Sequence, residues 1–190
     1  TKTDVTSRMT LDKDCRMTSE LVAKAATQLK KMNAPTFDGK YVCIIHPSVA
    51  FDLRQDEAWI AAHQYAGATE LFSGEIGELH GVRFIETTEA KVFNGEGCPV
   101  KTAADESNGT PAEYYSVYAT LFLGKDAYGM IDPEGGNMEM IIKDKGQVGG
   151  PLNQFSTLGY KFSSAAKILY QDRMVRVESC GAYSAEEEEP

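Results

Sequence analysis

Three histidines, His46, His63 and His80, are the side chains best suited to proton transfer or metal binding near neutral pH. Imidazole metal sites usually show a second ligand at a short fixed spacing, such as a His-x-x-x-His pair on a helix or a nearby pair of cysteines. None of the three histidines has such a neighbour in the sequence. The spacing therefore predicts no metal site. His46 is expected to cap the turn before Pro47, and the other two histidines lie on polar segments.

Two glycine-containing segments resemble ligand-binding loops. Gly74-Glu-Ile-Gly-Glu-Leu-His-Gly81 lacks the Gly-x-Gly-x-x-Gly spacing, and its glutamates would repel phosphate, so it predicts backbone turns. Asp132-Pro-Glu-Gly-Gly136 carries carboxylates but not the alternating oxygen ligands of an EF-hand, which favours a hairpin turn. The nucleophile motif Gly-x-Ser-x-Gly is missing. We predict no catalytic, cofactor-binding or metal-binding residues, although scattered Ser, His and Asp residues could still converge in space.

Charge and hydropathy exclude two further classes. The chain has 28 acidic and 19 basic residues and a net charge of −9, whereas non-specific nucleic-acid affinity comes mainly from Lys and Arg. We therefore expect no specific nucleic-acid binding. No run of about 18 apolar residues suits a membrane span, and the polar start Thr1-Lys-Thr-Asp-Val5 does not suit a signal peptide. Because the chain begins without methionine, we expect a processed or recombinant piece of something longer.

Four cysteines, Cys15, Cys43, Cys98 and Cys180, lie far apart and form no Cys-x-x-Cys pair. We expect unpaired thiols, because free cysteine is commonly buried and cytoplasmic synthesis keeps thiols reduced. Cys43 lies inside an apolar strand and is the cysteine most expected in the core. A chain of 190 residues with 42% hydrophobic content predicts one domain.

The first half of the chain is predicted to combine helices with a central strand. Residues 1–17 are polar and unpatterned and predict a mobile lead-in or arm. Apolar residues at three- and four-residue spacing predict a helix from an N-cap at Thr18 to Met32, stopped by Asn33-Ala-Pro35. The fully apolar run Tyr41 to Ile45 predicts a strand covered on both faces. Helical patterning then runs from Pro47 to Tyr65 with a possible interruption.

The second half is predicted to be rich in strands, at Val82 to Glu86, Tyr115 to Leu123, Met138 to Lys143, Tyr160 to Tyr170 and Met174 to Ser179. The last two are expected to pair as a hairpin. Residues 94–113 predict a long surface loop, and residues 185–190 an acidic disordered tail. The predicted fold class is α+β, with a core over residues 18–184.

Four blocks of sequence carry a resemblance to a known family. They are Tyr41-Val-Cys-Ile-Ile45 with His46-Pro-Ser-Val-Ala-Phe-Asp-Leu53, then Phe72-Ser-Gly-Glu-Ile-Gly-Glu-Leu-His-Gly-Val-Arg-Phe-Ile-Glu86, then Ala127-Tyr-Gly-Met130, then Gly150-Pro-Leu-Asn-Gln154 leading through Gly159-Tyr-Lys161. In these blocks the chain resembles the major capsid proteins of tailed bacteriophages, in particular the subgroup typified by the short-tailed coliphage N-four. The resemblance runs from about Met17 to Tyr183.

This resemblance implies the tailed-phage major capsid fold, named after the Hong Kong phage, with an axial and a peripheral domain. The helix after Thr18, the strand Tyr41 to Ile45 and the helix after Pro47 look like the axial domain. Tyr160 to Ser179 looks like the closing strands of the peripheral domain. The family's N-terminal arm, extended hairpin and spine helix are expected to be missing from this chain.

The implied function is that of a structural subunit of a phage or prophage icosahedral capsid. Such a subunit self-assembles into the head shell that encloses double-stranded DNA. The resemblance implies contacts with copies of itself in capsomer rings and in the shell lattice, scaffold or decoration proteins as further partners, and no enzymatic activity or cofactor. It implies a place in the virion after synthesis in the host cytoplasm.

Two segments are candidate contacts between subunits, the loop Asn94 to Glu113 and the glycine-rich stretch Gly67 to Gly81, because both are long and free of regular patterning. Two alternatives stay open, a phage shell-decorating module and a soluble enzyme with a spatially assembled site. A compact domain without an open sheet edge would favour decoration. A deep polar pocket holding several histidines or carboxylates would favour an enzyme.

Overall fold

The computed structural model describes residues 7–65, 77–103, 111–131, 138–147, 152 and 154–184, with the side chains of residues 62–65 excepted. The chain divides into two compact units, unit 1 with Thr1–Lys125 and Asp172–Pro190, and unit 2 with Asp126–Gln171. The sequence predicted one core over residues 18–184. In the structure the chain leaves the sheet of unit 1 after β7, forms unit 2, and returns to the same sheet.

The described residues of unit 1 form a six-stranded mixed sheet with the order β12-β7-β1-β3-β2, and β4 pairs with β7 as well. Strands β1 and β3 are parallel, and the other pairs are antiparallel. A separate ladder joins β5 to β6. The strands of this unit are β1 Tyr41–Ile45, β2 Glu78–Leu79, β3 Val82–Glu86, β4 Val92–Phe93, β5 Val100–Thr102, β6 Glu113–Tyr114, β7 Val117–Leu123 and β12 Met174–Ser179.

Strand β1 lies between β7 and β3, as its apolar sequence predicts. Tyr41, Cys43 and Ile45 are buried, whereas Val42 and Ile44 on the alternate face are only half-buried. The predicted cover on both faces is therefore complete on one face and partial on the other. The predicted core position of Cys43 is confirmed.

Helix α1, Ser19–Lys31, confirms the predicted helix. The Thr18 side chain caps it by accepting a hydrogen bond from the Leu21 N–H at 3.5 Å. Val22, Ala25, Ala26 and Leu29 form the buried stripe. The helix ends where Asn33 adopts a positive φ of 53°, and Pro35 prevents its continuation.

The helical segment after Pro47 divides into α2, Pro47–Arg54, and α3, Glu57–Tyr65. Asp56 occupies the break, where its carboxylate accepts hydrogen bonds from the backbone N–H groups of Ala58 at 3.3 Å and of Ser19 at 2.6 Å. The interruption thus ties the start of α3 to the start of α1.

Unit 2 contains two antiparallel ladders, β9 with β10 and β8 with β11. Their bounds are β8 Tyr128–Ile131, β9 Glu139–Lys143, β10 Thr157–Lys161 and β11 Ala165–Ile168. The predicted hairpin between Tyr160–Tyr170 and Met174–Ser179 is wrong. β12 instead pairs with β7 in unit 1, and a short 3-10 helix at residues 171–173 lies between β11 and β12.

Several predictions lie wholly or partly outside the described residues. These are the start of the lead-in (residues 1–6), most of the stretch Gly67 to Gly81, the turn at Asp132 to Gly136, the Gly150-Pro151 turn and the acidic tail 185–190. No helix within the described ranges is both long and apolar enough to cross a membrane.

Candidate interaction surfaces

His46 and His80 serve local backbone structure. His46 Nδ1 accepts the Ser48 N–H at 3.3 Å and caps α2, as predicted, and its ring stacks on Tyr118 with centroids 5.1 Å apart. His80 lies in the turn between β2 and β3, where it and Gly81 have φ values of 53° and 77°. That pair of positive φ values is the geometry of a tight hairpin turn, so the prediction of a backbone turn is confirmed at Gly81.

Metal binding finds no support in the described part of the chain. His80 Nε2 lies 3.1 Å from the Ser19 hydroxyl oxygen, which is a local polar contact. The side chain of His63 falls outside the described residues. No group of three or more His, Cys, Asp or Glu side chains within the described ranges is placed to hold a metal ion.

The four cysteines are free and buried, as predicted. Burial strongly raises the pKa of the Cys43 thiol. Burial is also the main cause that raises the pKa of the Cys180 thiol to about 12. The Cys180 N–H donates to the Cys15 carbonyl at 3.0 Å, and Cys98 packs in one small cluster with Cys180. Buried thiols held in their protonated form are weak nucleophiles. Cys43 and Cys180 are therefore packing residues.

The N-terminal segment, residues 7–17, packs against unit 1 where the sequence predicted a mobile lead-in. The Arg8 guanidinium donates two hydrogen bonds of 2.8 Å to the Glu178 carboxylate and lies 3.5 Å from the centroid of the Phe93 ring. The hydrogen bonds from Arg8 lower the pKa of Glu178. Met17 is fully buried in the core. Polar composition alone did not show that the Arg8–Glu178 pair and the buried Met17 would fix this segment.

The C-terminal turn, residues 181–184, is fastened to α2 by Asp52. The Ala182 N–H donates to the Asp52 carboxylate, with 3.1 Å to Oδ2. Ser184 closes the turn, since its N–H donates to the Gly181 carbonyl at 3.1 Å and its own carbonyl accepts the Ser116 N–H at 2.6 Å. Tyr183 places its ring against Phe51.

Asp52 is only 5% exposed. Loss of water around the carboxylate raises its pKa, while the Ala182 N–H and the charge of Arg16 act in the opposite direction. A β-carbon at Gly181 would lie 2.5 Å from Asp52 Oδ2, so this approach requires glycine. The turn is thus held by a buried carboxylate.

The ladder of β9 and β10 separates apolar from polar side chains. Directly paired residues lie on one face of a ladder, so Met140 with Tyr160 and Ile142 with Leu158 share a face. Phe162 continues this face, because its ring stacks on Tyr160 at 6.4 Å. We call these five residues the apolar ladder face. They are 61–71% exposed.

The opposite face of the same ladder is polar. It carries the pairs Glu139 with Lys161 and Lys143 with Thr157. Glu139 and Lys161 form an ion pair of 2.7 Å. Such a division between two faces is normal for a sheet that has one face in contact with another layer or another molecule. In unit 2 as described, both faces of this ladder are exposed, the apolar one included.

The ladder of β8 and β11 exposes apolar side chains too. Tyr128 pairs with Ile168, and both are about half exposed, while Met130 is 74% exposed. Gly129 lies under Leu169, and a β-carbon there would come within 3.2 Å of Leu169 Cδ1. Unit 2 is therefore rich in exposed apolar side chains along both ladders.

A family model described as phage capsid protein matches residues 1–147. The chain belongs to the phage capsid protein family. This is a family of structural proteins, and it agrees with the resemblance carried by the four sequence blocks. No curated protein matches the chain.

Solved phage capsids share the fold. The capsid of Ralstonia phage GP4 has a TM-score of 0.63 and 18% identity, over 94% of this chain and 51% of that chain. The capsid of cyanophage Pam1 has a TM-score of 0.65 and 16% identity, over 93% and 49%. The capsid of Helicobacter pylori bacteriophage KHP30 has a TM-score of 0.58 and 12% identity, over 87% and 59%. The chain thus has the α+β phage capsid fold and spans about half the length of the first two.

The predicted loop 94–113 contains strand structure in its described residues, 94–103 and 111–113. β5 and β6 pair within it, and Lys101 forms an ion pair with Glu113 at 3.1 Å. Cys98 is buried in a small core cluster. Removal of residues 95–109 would therefore delete core and strand as well as loop, so loss of assembly after that deletion would not isolate a subunit contact.

The apolar ladder face is the feature that sequence reasoning missed. A strand was predicted at Met138 to Lys143, but its faces were not distinguished. The signal was present as alternation of Met140 and Ile142 in one strand and of Leu158, Tyr160 and Phe162 near the other. Ile141 interrupts the pattern, because it adds an apolar residue to the polar face.

Proposed function

We propose that this chain is part of the shell-building subunit of a tailed-phage or prophage head, which assembles with copies of itself around double-stranded DNA. The observation that carries the proposal is the family match over residues 1–147. The fold shared with three solved phage capsids supports it. In this assignment unit 1, with its mixed sheet and α1, corresponds to the axial domain. Of the segment Tyr160 to Ser179, which the resemblance gives to the peripheral domain, unit 2 holds the part up to Gln171, and β12 belongs to the sheet of unit 1.

The distribution of exposed apolar side chains supports an assembling protein. Monomeric soluble proteins rarely expose contiguous apolar patches larger than a few hundred Å², yet unit 2 exposes large side chains along both of its ladders. Repeated subunits in a closed shell bury such surfaces in many modest contacts. The family match does not favour a shell-decorating module or a soluble enzyme.

The proposed setting gives the charge of the chain a role. A net charge of −9 opposes binding to phosphates, so an acidic inner wall would not trap DNA during filling. Scaffold and decoration proteins remain proposed partners, and the virion the proposed location after synthesis in the host cytoplasm.

Sedimentation of the complete gene product, expressed in bacteria without other phage proteins, tests this function. A shell subunit should appear in rapidly sedimenting particles that withstand nuclease treatment. Material that remains entirely in slowly sedimenting fractions at high concentration, while correctly folded by circular dichroism, would contradict the proposal.

A further inference from the structure

We propose that an ordered water molecule in the core of unit 1 bridges the side-chain hydroxyls of Thr120 and Ser179. Thr120 lies on β7, and Ser179 is the last residue of β12. The inference goes beyond the proposed function and does not depend on it, because it concerns how the strand that returns from unit 2 is held in the sheet. The bridging water joins β12 to β7 through side chains as well as through the backbone.

Both hydroxyls are buried polar groups that need a partner. Thr120 and Ser179 are each only 1% exposed, and within the described ranges neither Thr120 Oγ1 nor Ser179 Oγ has a hydrogen-bond partner. A buried hydroxyl without a hydrogen bond is unfavourable, and native proteins contain few such groups. Because both oxygen atoms are closed off from the surface, a molecule bound at the surface cannot reach them. Their hydrogen bonds must therefore be made inside the core.

The sheet places the two hydroxyls on the same face. Thr120 pairs with Val177, and Ser179 pairs with Tyr118. Residues two apart on a strand point to the same face, so Thr120 and Ser179 are diagonal neighbours, at about 7–8 Å between backbones and less between side chains. A water that contacts two oxygen atoms at about 2.8 Å each spans up to about 5.6 Å between them. One water therefore suits the spacing.

The surroundings of the two hydroxyls decide what kind of molecule bridges them. Tyr118 and Phe122 on the same face of β7 belong to the main core cluster, and Val175 and Val177 of β12 pack against it. Two neutral hydroxyls do not compensate the charge of a buried ion. They do suit a water, because each can donate and accept, and buried waters typically make two to four hydrogen bonds to polar groups that otherwise have no partner.

Two substitutions remove the hydroxyls with little change in volume. Thr120→Val replaces the hydroxyl with a methyl group, and Ser179→Ala deletes it. Each leaves the water with one hydroxyl partner, so the urea midpoint of unit 1 should fall by about 0.5 M in either single variant. The double variant removes both partners together and should lose no more than one single variant. Thr102→Val makes the same change at an exposed position of β5 and should shift the midpoint by no more than about 0.25 M.

The sign and the additivity of these shifts decide between a bridged pair and two hydroxyls without hydrogen bonds. If neither hydroxyl is bonded in the folded protein, each substitution removes an unfavourable buried polar group. The midpoint should then rise in both single variants and the gains should add, which would overturn the proposal. Losses that add fully in the double variant would overturn it as well, because hydroxyls that share no water lose independent contacts.

A crystal structure of the 190-residue chain, at a resolution that shows ordered water, gives a second result that requires no variant to fold. The proposal expects one water oxygen at about 2.5–3.0 Å from both Thr120 Oγ1 and Ser179 Oγ. Hydroxyls that bond directly to each other or to backbone carbonyls, with no water between them, would refute it.

Discussion

The buried contact between Asp52 and the C-terminal turn gives a sharp prediction about stability. Asp52→Ala removes the acceptor for the Ala182 N–H, which lies 3.1 Å from Oδ2. Asp52→Asn keeps an oxygen acceptor and removes the charge. We expect Asp52→Ala to destabilise unit 1 and to loosen the turn, and we expect Asp52→Asn to be much milder.

The magnitude follows from the partners. A hydrogen bond to a charged group contributes about 1.5–3 kcal/mol, and this one is only partly buried on the Ala182 side, so we expect a loss of about 1.5 kcal/mol. With a urea slope of about 2 kcal/mol per M, the midpoint of unfolding should fall by about 0.7 M. For Asp52→Asn the midpoint of unfolding should fall by less than half as much.

Gly181→Ala supplies an independent perturbation of the same contact. The new β-carbon would lie 2.5 Å from Asp52 Oδ2, so the carboxylate must rotate away and lose the Ala182 N–H. The cost should therefore resemble that of Asp52→Ala. In the double variant the two losses should not add, because the second substitution removes a contact already broken.

The pH dependence has a defined sign. Burial raises the pKa of Asp52 in the folded protein, whereas the unfolded chain has the ordinary value of about 3.9. Between these two values the folded state binds more protons, so the stability contributed by Asp52 is greatest below the ordinary pKa and falls as pH rises through the folded pKa. Relative to wild type, Asp52→Asn should therefore be more stable near neutral pH than near the ordinary pKa.

Fluorescence of the single tryptophan reports this unfolding. Trp59 is buried in the core of unit 1 with Phe84 at 5.6 Å. Urea titrations of the three single variants, the Asp52→Ala/Gly181→Ala double variant and the wild type would give the midpoints. Equal midpoints for Asp52→Ala and wild type would refute the reasoning, as would fully additive losses in the double variant.

Three further predictions concern unit 1. Arg8→Ala should lower the free energy of unfolding by about 1 kcal/mol or less, because the ion pair with Glu178 is partly exposed. Since Arg8 lowers the pKa of Glu178, the stability from this ion pair is present above the ordinary glutamate pKa and is lost as pH falls through the pKa of Glu178 in the folded protein. Urea titrations at two pH values measure both effects. Leu29→Ala should cost about 2–5 kcal/mol because Leu29 is fully buried, measured by urea unfolding. The four buried thiols should react with a thiol reagent only after denaturation.

Each of these three has an outcome that would contradict it. A cost of Arg8→Ala that does not change between neutral and acidic pH would remove the assigned role of Glu178. An Leu29→Ala variant as stable as wild type would show that the α1 stripe does not pack as described. Rapid reaction of one or more thiols in the folded chain would show that the cysteine environment opens readily.

Local patterning predicted the elements of unit 1 well. The buried stripe of α1 and the apolar run of β1 could be predicted from the local sequence, because helix and strand periodicities depend on neighbouring residues. Capping by Thr18 and His46 follows from side-chain chemistry at the start of each helix. The strand Val82–Glu86 matched its predicted bounds.

Long-range pairing could not be predicted in the same way. Met174–Ser179 is near β11 in sequence but pairs with β7, because strand partners are set by the sheet as a whole and not by the adjacent segment. The hydrogen bonds from Arg8 to Glu178 join residues that are 170 positions apart in the sequence. The Asp52 contact with Ala182 spans 130 positions, and no spacing rule reaches that far.

Negative-stain electron microscopy of the complete gene product, purified from bacteria that express no other phage protein, tests the shell function most directly. A shell-building subunit should form closed shells, tubes or capsomer rings with a regular subunit spacing. Only small separate particles, from correctly folded protein at high concentration, would contradict it.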